Sequence, residues 1–410
     1  MADKTVLVLG GGVGGWVAAQ RLRRQLDGGH RIVLVDREEK QAFAHSFPWV
    51  MMGERRPDEV VRPLPALRRQ GIEYHQADVQ KIDTAGRKVL TTAGDFAFDY
   101  LIIALGAELN PKGIPGLAEA AHTYYDLEGA QRLRVTLRSF REGRIAIAIA
   151  GVPYKCPSAP HEGALLLDDH FRRYGLRGQV EIQVFTPEPQ PMPSAGPVVG
   201  QSVLNMLTQQ GITFQPNRKL VAVEGRELVF EDGGPQPFDL LITVPPHRTP
   251  ACIQESGLAN ASGYIPVDWK TMATQHEGVY AVGDVTTIPL PGRYQSDRPL
   301  NLPKAGAFAH GQGEVVARNI AAEIRGAGRR REFDGMGVCF LATGGGRAGV
   351  AAARFYTEPA PVVEMKPPAR QWHWGKLLFE RYWMAEGPRR EALRYLLNLS
   401  AKGFSIPASL

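Results

Sequence analysis

Residues 4–15 read Lys4-Thr5-Val6-Leu7-Val8-Leu9-Gly10-Gly11-Gly12-Val13-Gly14-Gly15, and this stretch decides the fold. The β-branched and aliphatic run from Thr5 makes a buried strand, which the glycines end. A helix-compatible segment follows over 16–26, then a second apolar strand over 31–35 that ends on Asp36. Gly10, Gly12 and Gly15 stand at GxGxxG spacing inside this β-turn-α-β unit, the signature of a dinucleotide fold. Gly10 makes the tight turn, Gly12 lets backbone approach a pyrophosphate, and Gly15 lets the helix pack on the strand. Asp36, 21 residues after Gly15, is placed to accept hydrogen bonds from an adenosine ribose.

Two further stretches favour a flavin fold over a simple NAD domain. Residues 98–106, Phe98-Asp99-Tyr100-Leu101-Ile102-Ile103-Ala104-Leu105-Gly106, form a strand and small-residue turn; residues 278–284 form another, ending Gly283-Asp284. They resemble the strand that closes the FAD domain in flavoproteins with two dinucleotide domains and the segment whose aspartate meets the ribitol chain. FAD is therefore the expected cofactor, held by Gly10, Gly12, Gly15, Asp36, Gly106, Gly283 and Asp284.

Between them lies a second unit: strand 144–150, a loop from Gly151, a helix over 160–173 and a strand over 180–185. It has the plan of an NAD(P)H domain, but its loop carries Pro153, Lys155 and Cys156 where glycines would admit a pyrophosphate. Prolines also remove the amide donors that cradle phosphate. The nicotinamide site is read as lost. The expected architecture is α/β: two Rossmann-like domains plus a C-terminal region with amphipathic helices. The boundaries are 1–140 for the first part of the FAD domain, 141–262 for the second domain, 263–325 for the return to the first, and 332–410 for the C-terminal region.

Composition agrees. The chain has 410 residues, 44% of them apolar, and a net charge of +6; this is material for two or three domains and excludes a disordered chain. Eight basic and three acidic residues fall in 366–402, so nearly all of the surplus sits there and no general nucleic-acid footprint exists. Three cysteines make no disulfide framework and none has zinc spacing, so no metal is expected. No apolar run reaches the about 18–20 residues of a spanning helix. No export signal is read at the start of the chain as given.

Cys156 lies between two prolines and just ahead of a helix whose candidate N-cap is Ser158. A thiol near a helix N-terminus and beside Lys155 is expected to have a lowered pKa. Cys339 lies in Met336-Gly337-Val338-Cys339-Phe340-Leu341, next to Thr343-Gly344-Gly345-Gly346. Cys252, in a plain segment, reads as a small buried hydrophobe.

Taken together, the FAD fingerprint, Phe47-Pro48-Trp49-Val50 with Gly53, the Cys156-to-Glu162 segment, Gly283-Asp284, Pro303-Lys304-Ala305-Gly306 and the late Cys339 resemble the sulfide:quinone oxidoreductases. The related flavin subunit of flavocytochrome c sulfide dehydrogenase has the same order. The resemblance covers about residues 4–400. It implies FAD-dependent oxidation of sulfide to sulfane sulfur or polysulfide, with electrons passed to a membrane quinone. It further implies that Cys156 and Cys339 form a redox-active disulfide or sulfur-bridged pair beside the isoalloxazine. Glu162 is the candidate acid/base, and Lys304 is a candidate to put positive charge near the flavin pyrimidine edge. Val338, Phe340, Phe379, Tyr382 and Trp383 are candidates for a quinone pocket. Many members have a further cysteine, in some the attachment point of covalent flavin, where this chain reads Thr123-Tyr124-Tyr125-Asp126; non-covalent FAD is expected. A histidine that some members carry corresponds to Ser194-Ala195-Gly196-Pro197, so its role does not transfer.

Residues 371–384 concentrate aromatics with basic residues, and Pro388 opens a second amphipathic helix. Tryptophan, tyrosine and arginine at an apolar-polar boundary suit a helix lying on a membrane surface. The expected location is therefore peripheral, on the cytoplasmic side of a membrane; the oligomeric state, a homo-oligomer included, stays open. Three alternatives remain: the flavocytochrome c subunit, a type II NADH:quinone oxidoreductase, and a flavin redox sensor without turnover.

Overall fold

The computed structural model describes residues 3–404; Met1, Ala2 and 405–410, the ends of the first and last expected segments, lie outside the described residues. The chain divides into two compact units.

The first unit gathers Met1–Gln41, Arg62–Glu108 and Arg248–Met336. Its sheet is five-stranded and parallel, in the order Val279–Ala281, Tyr100–Ile103, Thr5–Leu9, Arg31–Asp36, Glu73–Gln76. The inner strands Thr5–Leu9, Arg31–Asp36, Tyr100–Ile103 and the edge strand Val279–Ala281 are largely buried on both faces, which is why they read as apolar runs, whereas the edge strand Glu73–Gln76 buries only Tyr74. Helices Val13–Gln25 and Gly306–Ile324 pack on one another where a Cβ on Gly313 would stand 2.5 Å from the Gly14 carbonyl oxygen. Their close crossing is set by that glycine pair. Leu7, Leu9, Val33, Ile103, Ala281 and the buried Cys252 share a core on this sheet.

The second unit gathers Ala42–Val61, Leu109–His247 and Gly337–Leu410. Its parallel sheet runs Ala121–His122, Leu240–Val244, Gly143–Ile149, Val180–Phe185, Thr213–Gln215. Helix Ala159–Arg173, called here the thiol helix, lies after the first long strand as expected. Residues 336–369 add a three-stranded sheet in the order Met336–Gly344, Arg347–Arg354, Val362–Ala369. Arg347–Arg354 is rich in alanine and Val362–Ala369 carries two prolines and two charges, compositions that strands disfavour, so these strands did not announce themselves. Met336–Gly344, the thiol strand, is the edge of that sheet. Helices Arg370–Met384, the aromatic helix, and Gly387–Gly403, the tail helix, follow.

Candidate functional site

In the first unit the glycine turn makes a cradle for a dinucleotide. Gly10 has φ 98°, and a Cβ on Gly15 would stand 1.9 Å from the Gly10 carbonyl oxygen, so helix and turn meet only with glycine at both places. A Cβ on Gly12 would meet nothing within 4 Å. That open space lies at the N-cap of a 13-residue helix with no acidic residue in its first turn, an arrangement that accepts an anion. Asp36 accepts hydrogen bonds from the Gly11 amide and, at 2.7 Å, from the Glu38 amide; burial nevertheless raises its pKa. Gly106, with φ 68°, faces open space too, and Gly283 donates its amide to Gln312 Oε1 at 2.7 Å. These residues fit FAD: amides and open space for the pyrophosphate, a carboxylate at the strand end for the ribose.

Lys304 is not a surface lysine. It is buried, and Nζ donates to the carbonyls of Asp284 at 2.8 Å and Thr286 at 2.9 Å and lies 3.7 Å from the Tyr264 ring centroid. Burial pushes its pKa down to about 8.

In the second unit Cys156 and Cys339 come together. Ser158 Oγ stands 3.8 Å from Cys156 Sγ and 3.1 Å from Cys339 Sγ, and the two thiols are within hydrogen-bonding reach of each other. Two expectations are corrected here. Ser158 occupies the N-cap position, but its side chain makes no cap hydrogen bond, because the hydroxyl is turned to the thiols. Cys156 does not have a lowered pKa: hydrogen bonding to Cys339 and burial push it well above the ordinary thiol value. Cys339 is the thiol held down, by the Cys156 and Ser158 hydrogen bonds. The helix N-terminus loses to the neighbour because two thiols in contact share a proton. Cys156 also sits at φ 55°, a conformation a β-substituted residue resists. Its carbonyl is fixed by the Ala159 amide at 2.9 Å and the Tyr125 hydroxyl at 3.3 Å.

Glu162, on the first turn of the thiol helix, is buried rather than exposed. Its Oε1 is in contact with Lys376 Nζ, and it accepts from the Ala342 amide; burial still raises its pKa. Lys376 lies 4.5 Å from the Trp49 ring centroid. Lys376 and Arg390, two of the eight basic residues of 366–402, are both buried. Arg390 lies 4.9 Å from the Tyr382 and 5.7 Å from the Trp383 ring centroids. A carboxylate in the interior recruits one cation and aromatic faces the other. Glu380 is buried as well, bonded to Ser46 at 2.5 Å and paired with Arg55 at 2.7 Å.

The candidate quinone residues fall into two groups. Phe379, Tyr382 and Trp383 cluster with Phe43 and His45, at ring separations of 5.9–6.2 Å. Val338 and Phe340 pack with Ala348, Val350 and Trp372. Phe340 also meets Gly375, one helical turn before Phe379, where a Cβ would come within 3.2 Å of its ring. Sequence reasoning missed Phe43 and His45, which lie in a segment far away in the chain. Burial and the Lys376 charge push the His45 pKa down to about 4.

The chain belongs to the pyridine nucleotide-disulphide oxidoreductase family, which matches residues 4–312. It is an FAD flavoprotein and an oxidoreductase. Among its relatives, the sulfide-quinone reductase of Aquifex aeolicus is 26% identical over 397 residues, covering 93% of this chain and 90% of the relative. The mitochondrial sulfide:quinone oxidoreductase of Mus musculus is 24% identical, covering 86% of this chain and 79% of the relative. The solved sulfide:quinone oxidoreductase from Aquifex aeolicus superposes with a TM-score of 0.86 at 24% identity, over all of this chain and 96% of that one, and so has the same fold. The resemblance drawn from the motifs is borne out. Among the described residues no helix is long and apolar enough to cross a membrane.

Proposed function

We propose that this flavoprotein oxidises sulfide to sulfane sulfur or polysulfide with its Cys156/Cys339 pair and delivers the electrons to a membrane quinone. The observation that carries the reading is the Ser158-bridged thiol pair, Cys156 on the loop that replaces the nicotinamide glycines and Cys339 on the thiol strand. In the oxidised pair, hydrosulfide attacks the Cys156 sulfur, forming a persulfide there and breaking the bond to Cys339. Cys339 is the better leaving group because its thiolate is stabilised by the Ser158 hydroxyl. The Glu162 carboxylate, whose charge bears on both thiols, takes the proton of the incoming sulfide. Non-covalently bound FAD supplies a two-electron acceptor when bound. The aromatic cluster around Phe379, Tyr382 and Trp383, with Val338 and Phe340, is the proposed quinone site.

The tail helix supports docking on a membrane surface. Tyr395, Leu396 and Leu399 are exposed, and so is Trp374 on the aromatic helix. The NADH reading is disfavoured within the second unit. Tyr154 of the same loop donates to Glu188 Oε2 at 2.8 Å, engaging the carboxylate just past strand Val180–Phe185, where an adenosine ribose is normally bound. The test is quinone reduction by the holoenzyme with sulfide or NADH as donor. Sulfide is expected to support turnover; turnover with NADH alone overturns the proposal.

A further inference from the structure

We propose that Asp169 is a positioning residue that sets the separation of Cys156 and Cys339 from the far end of the elements carrying them; the proposal rests on the redox reading of that pair. The thiol strand is an edge strand, so one row of its amides lies outside the ladder. The thiol helix meets that edge at three places. Ser158 Oγ lies against Cys339 Sγ at 3.1 Å, Glu162 accepts from the Ala342 amide, and Asp169 Oδ1 accepts from the Gly345 amide at 3.0 Å.

The spacing makes this a zipper. At 3.6 residues per turn, positions 158, 162 and 169 fall within about 40° of one helix face. From 158 to 169 the helix rises about 16 Å, and from 339 to the end of the strand at 344 the extended chain covers about 16 Å, so the two keep step up to the hairpin tip, where Gly345 meets Asp169. Asp169 is itself held from behind: its other oxygen meets Arg173 Nε at 2.9 Å, and Arg173 Nη2 reaches Glu54 at 3.1 Å.

The hairpin tip is shaped for this contact. Gly344, Gly345 and Gly346 have φ of 79°, 58° and 66°, three successive left-handed residues. A Cβ on Gly344 would stand 2.2 Å from the Asp169 Cβ. The glycine run thus has a role although it does not touch the thiols. Two sulfurs bond only when their Cβ atoms are about 3.5–4.5 Å apart, and a slip of one residue along the strand moves Cys339 by about 3.3 Å. An anchor at the far end removes that slip.

The test follows the pair's equilibrium with glutathione, in which both thiols lose a proton, two electrons pass to glutathione disulfide, and two reduced glutathiones leave as the Cys156–Cys339 bond forms. The holoenzyme is equilibrated in buffers of graded glutathione ratio, quenched with an alkylating agent, and weighed. Asp169→Ala is expected to lower the oxidation constant by about fivefold or more, and Gly344→Ala to do the same from the strand side. Asp169→Asn, which keeps an acceptor for the Gly345 amide, is expected to stay within about twofold of wild type. A purely structural Asp169 lowers the melting temperature of these variants and leaves the constant unmoved, and that result overturns the proposal. An equal fall in Asp169→Asn also overturns it, because the amide contact is then not what acts. If Asp169→Ala does not fold, Gly344→Ala and Asp169→Asn decide. A wild-type pair that never oxidises contradicts the underlying reading, and shows itself before any variant is compared.

Discussion

Replacing Lys376 by methionine isolates the buried ion pair. Its side chain and that of Glu162 are 6% and 5% exposed and in direct contact, so the substitution leaves a carboxylate in the interior with the Ala342 amide as its remaining donor. Deleting one member of a buried pair costs about 3–5 kcal/mol. Losing the cation over Trp49 adds about 1 kcal/mol, which the apolar surface of methionine roughly offsets. The net loss at pH 8 is about 4 kcal/mol. The sign of its pH dependence follows from Glu162, whose pKa burial already raises and the lost cation raises further. A carboxyl with a raised folded-state pKa keeps its stability below its unfolded value, about 4.3, and loses it as pH rises through the folded value. The variant's deficit is therefore expected to shrink to about 1–2 kcal/mol at pH 5. Urea unfolding followed by tryptophan fluorescence at the two pH values measures both numbers. Adding Glu162→Gln to Lys376→Met should restore most of the loss at pH 8, because no lone charge stays buried. A loss under about 1 kcal/mol, or one equal at pH 5 and pH 8, refutes the reasoning.

Lys304→Met tests the buried lysine of the first unit. With its pKa lowered from 10.5 to about 8, the unfolded chain holds more protons across that window, so wild-type stability should rise relative to the variant by about 3 kcal/mol from pH 8 to 10.5. A relative stability that stays flat across the window contradicts this placement of the ammonium. Gly12→Ala puts a methyl in open space, so the apoprotein should melt as wild type does while FAD affinity, read by fluorescence titration, falls about tenfold. Deleting the chain after Gly387 removes Tyr395, Leu396 and Leu399 together with exposed basic residues, each worth about 1 kcal/mol at an anionic surface. Sedimentation with anionic vesicles should lose the truncated protein; unchanged binding places the docking surface elsewhere.

Much of the architecture was legible because it rests on local patterns. The turn at Gly10 to Gly15, the strand ending on Asp36 and the helix after Cys156 are set by residues adjacent in the chain, and these elements fall within a few residues of their expected places. What sequence did not disclose depends on partners distant in the chain. Lys376 reads as one more basic residue of an amphipathic helix until Glu162, 214 residues away, is found buried against it. The depressed pKa expected for Cys156 follows from its local surroundings and fails because Cys339 arrives from the far end of the chain. Phe43 and His45 join the aromatic helix with no periodic signal to announce it. Strand Arg347–Arg354 is hidden by its alanines and glycine, and Val362–Ala369 by its prolines and charges, residues that strand propensity disfavours.

The most direct test of the thiol-pair reading is anaerobic titration of the flavin absorbance with sulfide in three proteins: wild type, Cys156→Ser and Cys339→Ser. The wild-type flavin should bleach, and each variant should retain FAD while its flavin stays oxidised. Bleaching of either variant at the wild-type rate contradicts the account.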